Sequence, residues 1–199
     1  MSAAERELLR LDAIVGRAVE IVEADGPDAL SLRGLARDLG VSAPALYDHI
    51  RSKDDLLRQV AAAGYAELAS RWSMLAEVDV VERLRASSHA YVAFALERPG
   101  LFQVMFRFRP ALVEGPGEVE DPAATALFEQ ALVTIEQAVA DGRLGGAPPL
   151  ELALGLWAAT HGVAVVLSMS PELTKETWLV DLVVDGLLTG WHPPEEDRP

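Results

Sequence analysis

The sequence contains no cysteine, and this absence excludes three kinds of chemistry at once. A disulfide framework, a cysteine-ligated zinc site and a thiol nucleophile all need that residue. The histidines are few and fall in separate segments without metal-ligand spacing: His49, His89, His161 and His192. No glycine-rich phosphate loop follows a strand, and no serine occupies a nucleophile elbow. The sequence therefore predicts no enzyme, no cofactor and no metal site.

Basic residues are scarce, since 17 lysines and arginines stand against 31 acidic residues, a formal net charge of −14. Such a balance argues against a nucleic-acid partner, because contacts with phosphates dominate DNA affinity. The charge is unevenly distributed, however. Ser31 to Arg58 contains five basic and four acidic residues, whereas the chain from Gln59 onward contains nine basic and twenty acidic ones. The acidic excess therefore lies mostly outside residues 31–58, which leaves a DNA partner possible for that segment.

An apolar leader and an uninterrupted membrane span are missing as well. The first ten residues, MSAAERELLR, carry charges where a secretory signal needs an apolar run, so we expect a cytoplasmic protein. The longest uncharged stretch, Leu152 to Pro171, nearly reaches the length of a membrane span. Thr160, His161 and Ser168 interrupt it, and it ends without basic anchors. We therefore predict a helix that protein buries on nearly all sides, and no membrane partner.

Helical periodicity dominates what is present. Apolar residues recur at steps of three and four, and no alternating strand pattern or internal repeat occurs. The predicted helices are 5–25, 31–39, a short one beginning at 42, 52–72, 80–96, 101–108, 123–140, 150–169 and 174–189. Loops are expected over 110–122 and 142–149, and a tail over 192–199. The predicted fold is all-α with about nine helices, divided into an N-terminal domain (1–55) and a larger helical domain (56–191) joined by a long helix.

One stretch, Ser31 to Lys53, contains two short predicted helices separated by a tight turn. Ser31 is placed to cap the first helix, and Gly40 can take the left-handed conformation that ends it. Ser42 is placed to cap the second helix, and Pro44 falls in its first turn, where a missing N–H does no harm. This arrangement predicts a helix-turn-helix, whose second helix can enter the major groove of DNA.

Several separately placed features of this region resemble the TetR (tetracycline-repressor-like) family of transcriptional regulators. They are the Gly-Pro pair after the first helix, Leu-x-x-Leu-Ala in the second, Gly-Val-Ser at the turn, and Leu-Tyr-x-His followed by Ser-Lys. Further on, PGLFQVMF (Pro99 to Phe106) and LWAATHGVAVVL (Leu156 to Leu167) resemble the subgroup whose regulatory domain carries a Trp…His-Gly pattern. The resemblance implies a homodimer that binds operator DNA and responds to a small molecule.

Candidate DNA contacts come partly from the resemblance, which implies phosphate contact by Tyr47 and His49, and partly from the placement of residues on the two short helices. They are Ser31, Arg33, Ser42, Ala43, Pro44, Ala45, Tyr47, His49 and Lys53. We expect phosphate contacts from the members outside positions 42–45, namely Ser31, Arg33, Tyr47, His49 and Lys53. Such contacts hold a protein in place on DNA without reading the base sequence. The alternative for Tyr47 is that it only packs the small domain. Residues 42–45 are best placed to approach base edges, and their small side chains favour thymine-methyl contacts and DNA shape over bidentate hydrogen bonds.

Two further sets of residues are candidates in the larger domain. An apolar effector pocket is predicted from aromatic and neighbouring side chains, namely Tyr91, Phe94, Phe102, Met105, Phe106, Phe128, Trp157 and His161. The alternative is that these residues form ordinary core. A dimer interface is predicted on the last two helices, at Gly155, Ala159, Gly162, Val166, Leu179, Leu182, Val183 and Gly186. These helices are apolar on more than one side, so one face can pack within the chain and another against a second copy.

Taken together, these features favour a homodimeric regulator, a repressor, that a small apolar effector releases from a near-palindromic operator. Two alternatives stay open from the sequence. One is an all-α small-molecule-binding protein whose DNA motif no longer functions, which the acidic balance supports. The other is an activator or a constitutive regulator without an effector.

Overall fold

The structure of the protein is a computed structural model that describes residues 11–75, 79–109, 119–169 and 178–191. Its helices are α1 (Leu11–Asp25), α2 (Leu32–Asp38), α3 (Ala43–Tyr47), α4 (Lys53–Ser73), α5 (Val80–Glu97), α6 (Pro99–Met105), α7 (Pro122–Ala140), α8 (Pro149–Met169) and α9 (Trp178–Gly190). A 3-10 helix, Pro27–Ala29, joins α1 to α2. The predicted all-α class is confirmed, with nine α-helices among the described residues.

The helix boundaries agree with the predicted ones to within a few residues, with one exception. The helix predicted over 101–108 begins at Pro99 and ends at Met105, and the chain then forms β1 (Phe108–Arg109). β1 pairs in parallel with β2 (Val119–Glu120), at the end of the predicted acidic loop. Residues 110–118 of that loop, residues 5–10 and 174–177 of the two end helices, and the tail over 192–199 lie outside the described residues.

Local side-chain bonds account for the helix-turn-helix formed by α2 and α3. Ser31 Oγ accepts a hydrogen bond from Gly34 N at 3.1 Å, and Ser42 Oγ accepts one from Ala45 N at 3.3 Å. Both serines therefore cap their helices as predicted, because each hydroxyl satisfies an N–H that has no partner within the helix. Gly40 has φ +69°, which lets the chain turn sharply between the two helices without steric cost.

The first of two compact units contains Met1–Ala66 together with Arg98–Thr125. It therefore reaches beyond the predicted 1–55 domain and includes α6, which packs against α1. The approach is close at Gly100, where an added Cβ would lie 2.3 Å from the Val22 carbonyl oxygen. Glu23, the next residue of α1, accepts hydrogen bonds from Gly100 N at 3.3 Å and Leu101 N at 3.0 Å. A carboxylate of α1 thus caps the N-terminus of α6, where the helix dipole favours negative charge.

The second unit contains Glu67–Glu97 and Ala126–Pro199, and α8 packs there against α5 and α9. Its buried apolar positions include Leu84, Val92, Val163, Leu167 and Val184. Polar bonds also join α5 to α9, since Arg85 binds Asp185 at 2.6 Å and His89 lies 2.7 Å from Asp181.

Helix α8 differs from its prediction in how much of it is buried. Among the described residues it is the one helix long and apolar enough to cross a membrane. Only 39% of its apolar 18-residue stretch is buried, however. Val165, Val166 and Met169 are exposed, Met169 by 79%. The prediction of burial on nearly all sides is therefore wrong for the single chain. Hydropathy reports how apolar a helix is, but it does not report whether its second face packs within the same chain.

Candidate nucleic-acid interface and aromatic cluster

Tyr47 lies at the C-terminal end of α3, and its side chain is 55% exposed. Its neighbour Leu46 is buried, and the Leu46 carbonyl oxygen accepts hydrogen bonds from His49 N and Ile50 N at 3.0 Å each. Leu46 and Ile50 therefore anchor this turn in the core, and Tyr47 and His49 point outward. This exposure leaves more than half of the Tyr47 side chain accessible to a partner. The exposed phenol of Tyr47 and the exposed imidazole of His49, two residues apart in the sequence, can both donate hydrogen bonds to phosphate.

Lys53 begins α4 directly after this turn. Ser52 Oγ accepts a hydrogen bond from Asp55 N at 3.0 Å, and the Asp55 carboxylate accepts one from Arg51 N at 2.9 Å. Lys53 Nζ lies 3.5 Å from the Asp28 carbonyl oxygen, which accepts its hydrogen bond. The start of α4 is thus capped and held in place, and its lysine lies on the same short segment as Tyr47 and His49.

The N-terminal end of α3, which is predicted to approach base edges, presents small side chains. Ser42 and Pro44 are exposed, whereas Ala43 and Ala45 are half-buried. The Ser42 hydroxyl oxygen is engaged by Ala45 N, but its own hydrogen can still be donated. A helix with this face can approach the floor of a groove closely, and it offers no long side chain for a bidentate bond to a base.

On α2, Ser31 and Arg33 are both exposed, so the structure keeps them available as phosphate contacts. Sequence reasoning did not identify the contribution of Arg17 on α1. Its guanidinium binds the Asp38 carboxylate at 3.1 Å, and Arg37 lies 3.7 Å from the same carboxylate. Arg17 and Arg37 together offset the acidic residue at the end of α2. Arg17 and Asp38 are 21 positions apart in the sequence, so no local pattern could reveal the pair.

In the second unit, four of the predicted pocket residues form one aromatic cluster. Tyr91 Oη lies 3.1 Å from His161 Nδ1, and Trp157 Nε1 donates a hydrogen bond to Tyr91 Oη at 3.4 Å. Phe128 packs edge-on against Trp157 with ring centroids 5.9 Å apart. Because an indole N–H only donates, the tyrosine oxygen accepts from Trp157, and the direction of its bond with His161 Nδ1 depends on the tautomer of the imidazole.

Burial lowers the pKa of His161 below its ordinary value of 6.5. The neutral imidazole is therefore the favoured form at pH 7, with one ring nitrogen as donor and the other as acceptor. The cluster combines apolar ring faces with a short chain of oriented hydrogen bonds, as small-molecule sites commonly do.

The other predicted pocket residues lie elsewhere. Phe94 is fully buried in the second unit, with the Arg71 guanidinium 5.2 Å from its ring centroid. Phe102, Met105 and Phe106 belong to the first unit, where the rings of Phe102 and Phe106 pack 4.6 Å apart. The structure thus brings together Tyr91, Phe128, Trp157 and His161, and it assigns the three α6-region residues to the other unit.

The predicted dimer residues divide by exposure. Four are exposed, and they are Gly162, Val166, Leu182 and Gly186. Ala159, Leu179 and Val183 are half-buried. Gly155 faces Trp191 of the same chain, whose ring would lie 3.3 Å from an added Cβ. The small surface at Gly155 therefore accommodates an intrachain contact.

The relationship of the chain to known proteins agrees with this arrangement. Residues 14–60 match the family model for bacterial regulatory proteins of the tetR family, and residues 84–173 match a tetracyclin repressor-like C-terminal domain. An uncharacterized HTH-type transcriptional regulator of Mycobacterium tuberculosis is 28% identical over 190 residues, which cover 92% of this chain and 82% of that protein.

Two further similarities cover much of the chain. The nucleoid occlusion factor SlmA of Marinobacter nauticus is 30% identical over 137 residues, 68% of this chain and 69% of that one. The solved structure of a protein of unknown function from Rhodococcus sp. RHA1 superposes with a TM-score of 0.77 at 27% identity and covers 97% of both chains. The capped helix-turn-helix, the helical second unit and these similarities lead to one conclusion: the chain belongs to the TetR family of transcriptional regulators.

Proposed function

We propose that this regulator is a cytoplasmic homodimer that represses transcription by binding a near-palindromic operator and leaves it when a small apolar effector binds. The observation that carries the proposal is the exposed Tyr47, which lies beside His49 and Lys53 at the end of a capped helix-turn-helix. A large aromatic side chain that is 55% exposed contributes little to the core, and its hydroxyl is available to a phosphate.

Electrostatics restrict DNA contact to this part of the chain. The acidic excess from Gln59 onward repels phosphates, so productive contact has to come from residues 31–58. Few basic residues lie there, and non-specific binding is therefore weak. Affinity depends on the fit of α3 in the groove and on a small number of phosphate bonds, which makes operator shape important.

The exposed apolar residues of α8 and α9 support pairing with a second copy. Val166, Met169 and Leu182 are exposed by 46%, 79% and 64%, and Trp178 is half-exposed. Isolated apolar side chains are common on surfaces, but a group shared by two neighbouring helices suits a two-fold interface. A two-fold dimer would present two α3 helices to two related half-sites of DNA.

The Tyr91–Trp157–His161 cluster is the proposed effector site. A ligand that inserts between these aromatic rings and bonds to the oriented polar atoms would favour whichever arrangement of the dimer leaves room for it. Release from DNA follows only if the ligand binds the DNA-free arrangement more tightly than the DNA-bound one.

A gel shift with DNA flanking the protein's own gene tests the proposal. We expect a salt-sensitive specific complex that Tyr47→Ala weakens. The lack of such a complex with any palindrome would favour the alternative of a small-molecule-binding protein without a working DNA motif. A thermal-shift screen with and without operator then separates an effector-controlled repressor from a constitutive regulator, because an effector should stabilise the free protein and weaken the DNA complex.

A further inference from the structure

The arginines of the second unit differ in how their charge is balanced. Three of the four described there bind carboxylates: Arg71 binds Glu67 and Glu97 at 2.9 Å each, Arg85 binds Asp185 and Glu82, and Arg143 binds Asp79 at 2.8 Å. The fourth, Arg83 on α5, donates a single side-chain hydrogen bond, from Nη2 to the neutral Gln137 Oε1 at 2.9 Å. Its Nε is buried and has no partner among the described residues.

This arrangement is energetically unfavourable for the ligand-free protein. A guanidinium carries five N–H donors and a permanent charge, and a buried donor left without an acceptor destabilises the folded protein. The chain has an excess of acidic residues, so a missing carboxylate is not explained by a shortage of them. An acceptor on a ligand would satisfy the Nε that no described residue satisfies.

Arg83 lines a groove of about 400 Å³ between the end of α4, the start of α5 and the middle of α7. That volume lies in the range of small-molecule sites. Trp72 forms one wall, fixed by a hydrogen bond of 3.2 Å from Nε1 to the Ser87 carbonyl oxygen, and Val133 and Thr134 form another. Glu129 lies exposed at the rim. None of the lining residues belongs to the Tyr91 cluster, so this is a second site.

We infer that the groove binds a small apolar monocarboxylate, with the carboxylate on Arg83 and the apolar body against Trp72 and Val133. The two oxygens of a carboxylate match the Nε–Nη edge of a guanidinium, and such bidentate bonds are stronger than neutral ones. The guanidinium turns toward the groove on binding, because Nε is covered in the ligand-free protein. Glu129 repels a second anionic group at the rim, which selects against dicarboxylates.

Sodium octanoate, its uncharged amide and octanedioate are suitable probes, and calorimetric titration of the full chain measures their affinities. Octanoate should bind at least about tenfold more tightly than octanamide, because only the acid supplies the charged acceptor. Octanedioate should bind more weakly than octanoate, and Glu129→Gln should reduce that difference. Equal affinities for octanoate and octanamide, or no binding of octanoate at millimolar concentration, would overturn the inference.

Two variants locate the ligand. Arg83→Gln should weaken octanoate binding about tenfold, whereas Arg143→Gln, which removes a charge from the same unit outside the groove, should leave it unchanged. Val133→Glu changes a residue that is 62% exposed and should also abolish octanoate binding, by adding negative charge to the groove wall. Unchanged binding in both groove variants would mean that octanoate occupies another site and would refute the proposal.

A merely structural role for Arg83 makes a different prediction. If the arginine served folding, Arg83→Gln would lower the free energy of unfolding measured without ligand. We expect that free energy to stay the same or to rise, because the substitution removes a charged group with an unsatisfied donor. These measurements need no DNA, so a failed gel shift would leave this inference standing and a failed titration would leave the DNA-binding proposal standing.

Discussion

The phenol oxygen of Tyr91 on α5 lies 3.1 Å from Nδ1 of His161 on α8, across 70 residues of sequence. The contact belongs to a packed aromatic cluster. Burial there lowers the pKa of His161, because it disfavours the charged form of the ring.

Stability should therefore fall in mild acid. Above the ordinary pKa of 6.5 His161 is neutral in both states, and below it the unfolded chain takes up a proton that the native state refuses until its lower pKa is reached. The loss begins near pH 6.5 and is complete below the native pKa. His161→Asn keeps an acceptor oxygen near the Nδ1 position and cannot titrate. Urea unfolding at about pH 8 and about pH 5 should show a smaller drop for the variant than for the wild type. An equal drop would mean that His161 is not the titrating group.

Tyr47→Phe should weaken operator binding about tenfold, because it removes one hydrogen bond to a charged phosphate. The free energy of unfolding should not change, since the side chain is 55% exposed. Fluorescence anisotropy with labelled operator measures the affinity. A loss of equal size on every DNA sequence would agree with phosphate contact, whereas a loss confined to the operator would contradict it and assign Tyr47 to base reading.

Lys53→Gln should reduce the slope of log affinity against log salt concentration by about two for the proposed homodimer, because one fewer phosphate charge is neutralised in each of its two copies of the motif. The slope is obtained by repeating the anisotropy titration over a range of salt concentrations. Arg143→Gln is the matched control, since it removes a positive charge from the second unit. A similar change of slope in both variants would indicate a general charge effect and argue against a contact by Lys53.

Gly100→Ala should destabilise the protein by about 3 kcal/mol, because the new methyl group would lie 2.3 Å from the Val22 carbonyl oxygen and α6 would have to move away from α1. Gly16→Ala is the control on α1 itself. No atom lies within 4 Å of an added Cβ there, so a helical alanine should stabilise by about 0.5–1 kcal/mol. Chemical denaturation of both variants measures the difference. Destabilisation by Gly16→Ala, or none by Gly100→Ala, would contradict the described packing.

Leu182→Asp should raise the dissociation constant of the proposed homodimer by at least about tenfold, because the two-fold axis places the charged residue in the interface twice. Val133→Asp on α7 is the matched control, because it adds the same charge at an apolar residue of similar exposure. Val133 is 62% exposed and Leu182 is 64% exposed. Sedimentation at several protein concentrations separates the two. If the substitutions at positions 182 and 133 had the same effect, the α8–α9 face would not be the interface.

Sequence reasoning worked well where one short segment contains both partners of an interaction. Ser31 and Ser42 each cap an N–H group three residues further along the chain. Gly40 forms the turn at its own position. The positions of most helices follow from the same local patterns of apolar residues.

It worked poorly where distant segments meet. The Glu23 carboxylate caps α6 across 77 residues, and Arg83 differs from other arginines only through its surroundings. The predicted pocket set was chosen by residue type, and the structure divides it because α6 packs with α1 in the first unit. The prediction that protein buries α8 on nearly all sides does not hold within the single chain, because composition does not distinguish a core face from an exposed one.

The contact between Glu23 and α6 also limits how such regulators can be recombined. The first unit is assembled from two separate stretches of chain, so a hybrid joined once after α4 would set the α1 of one parent against the α6 of the other. Position 23 would then face an unrelated helix start, and a side chain at position 100 would meet the backbone of Val22. A working exchange of DNA specificity between relatives needs two crossovers, so that residues 22–23 and 98–101 are inherited together.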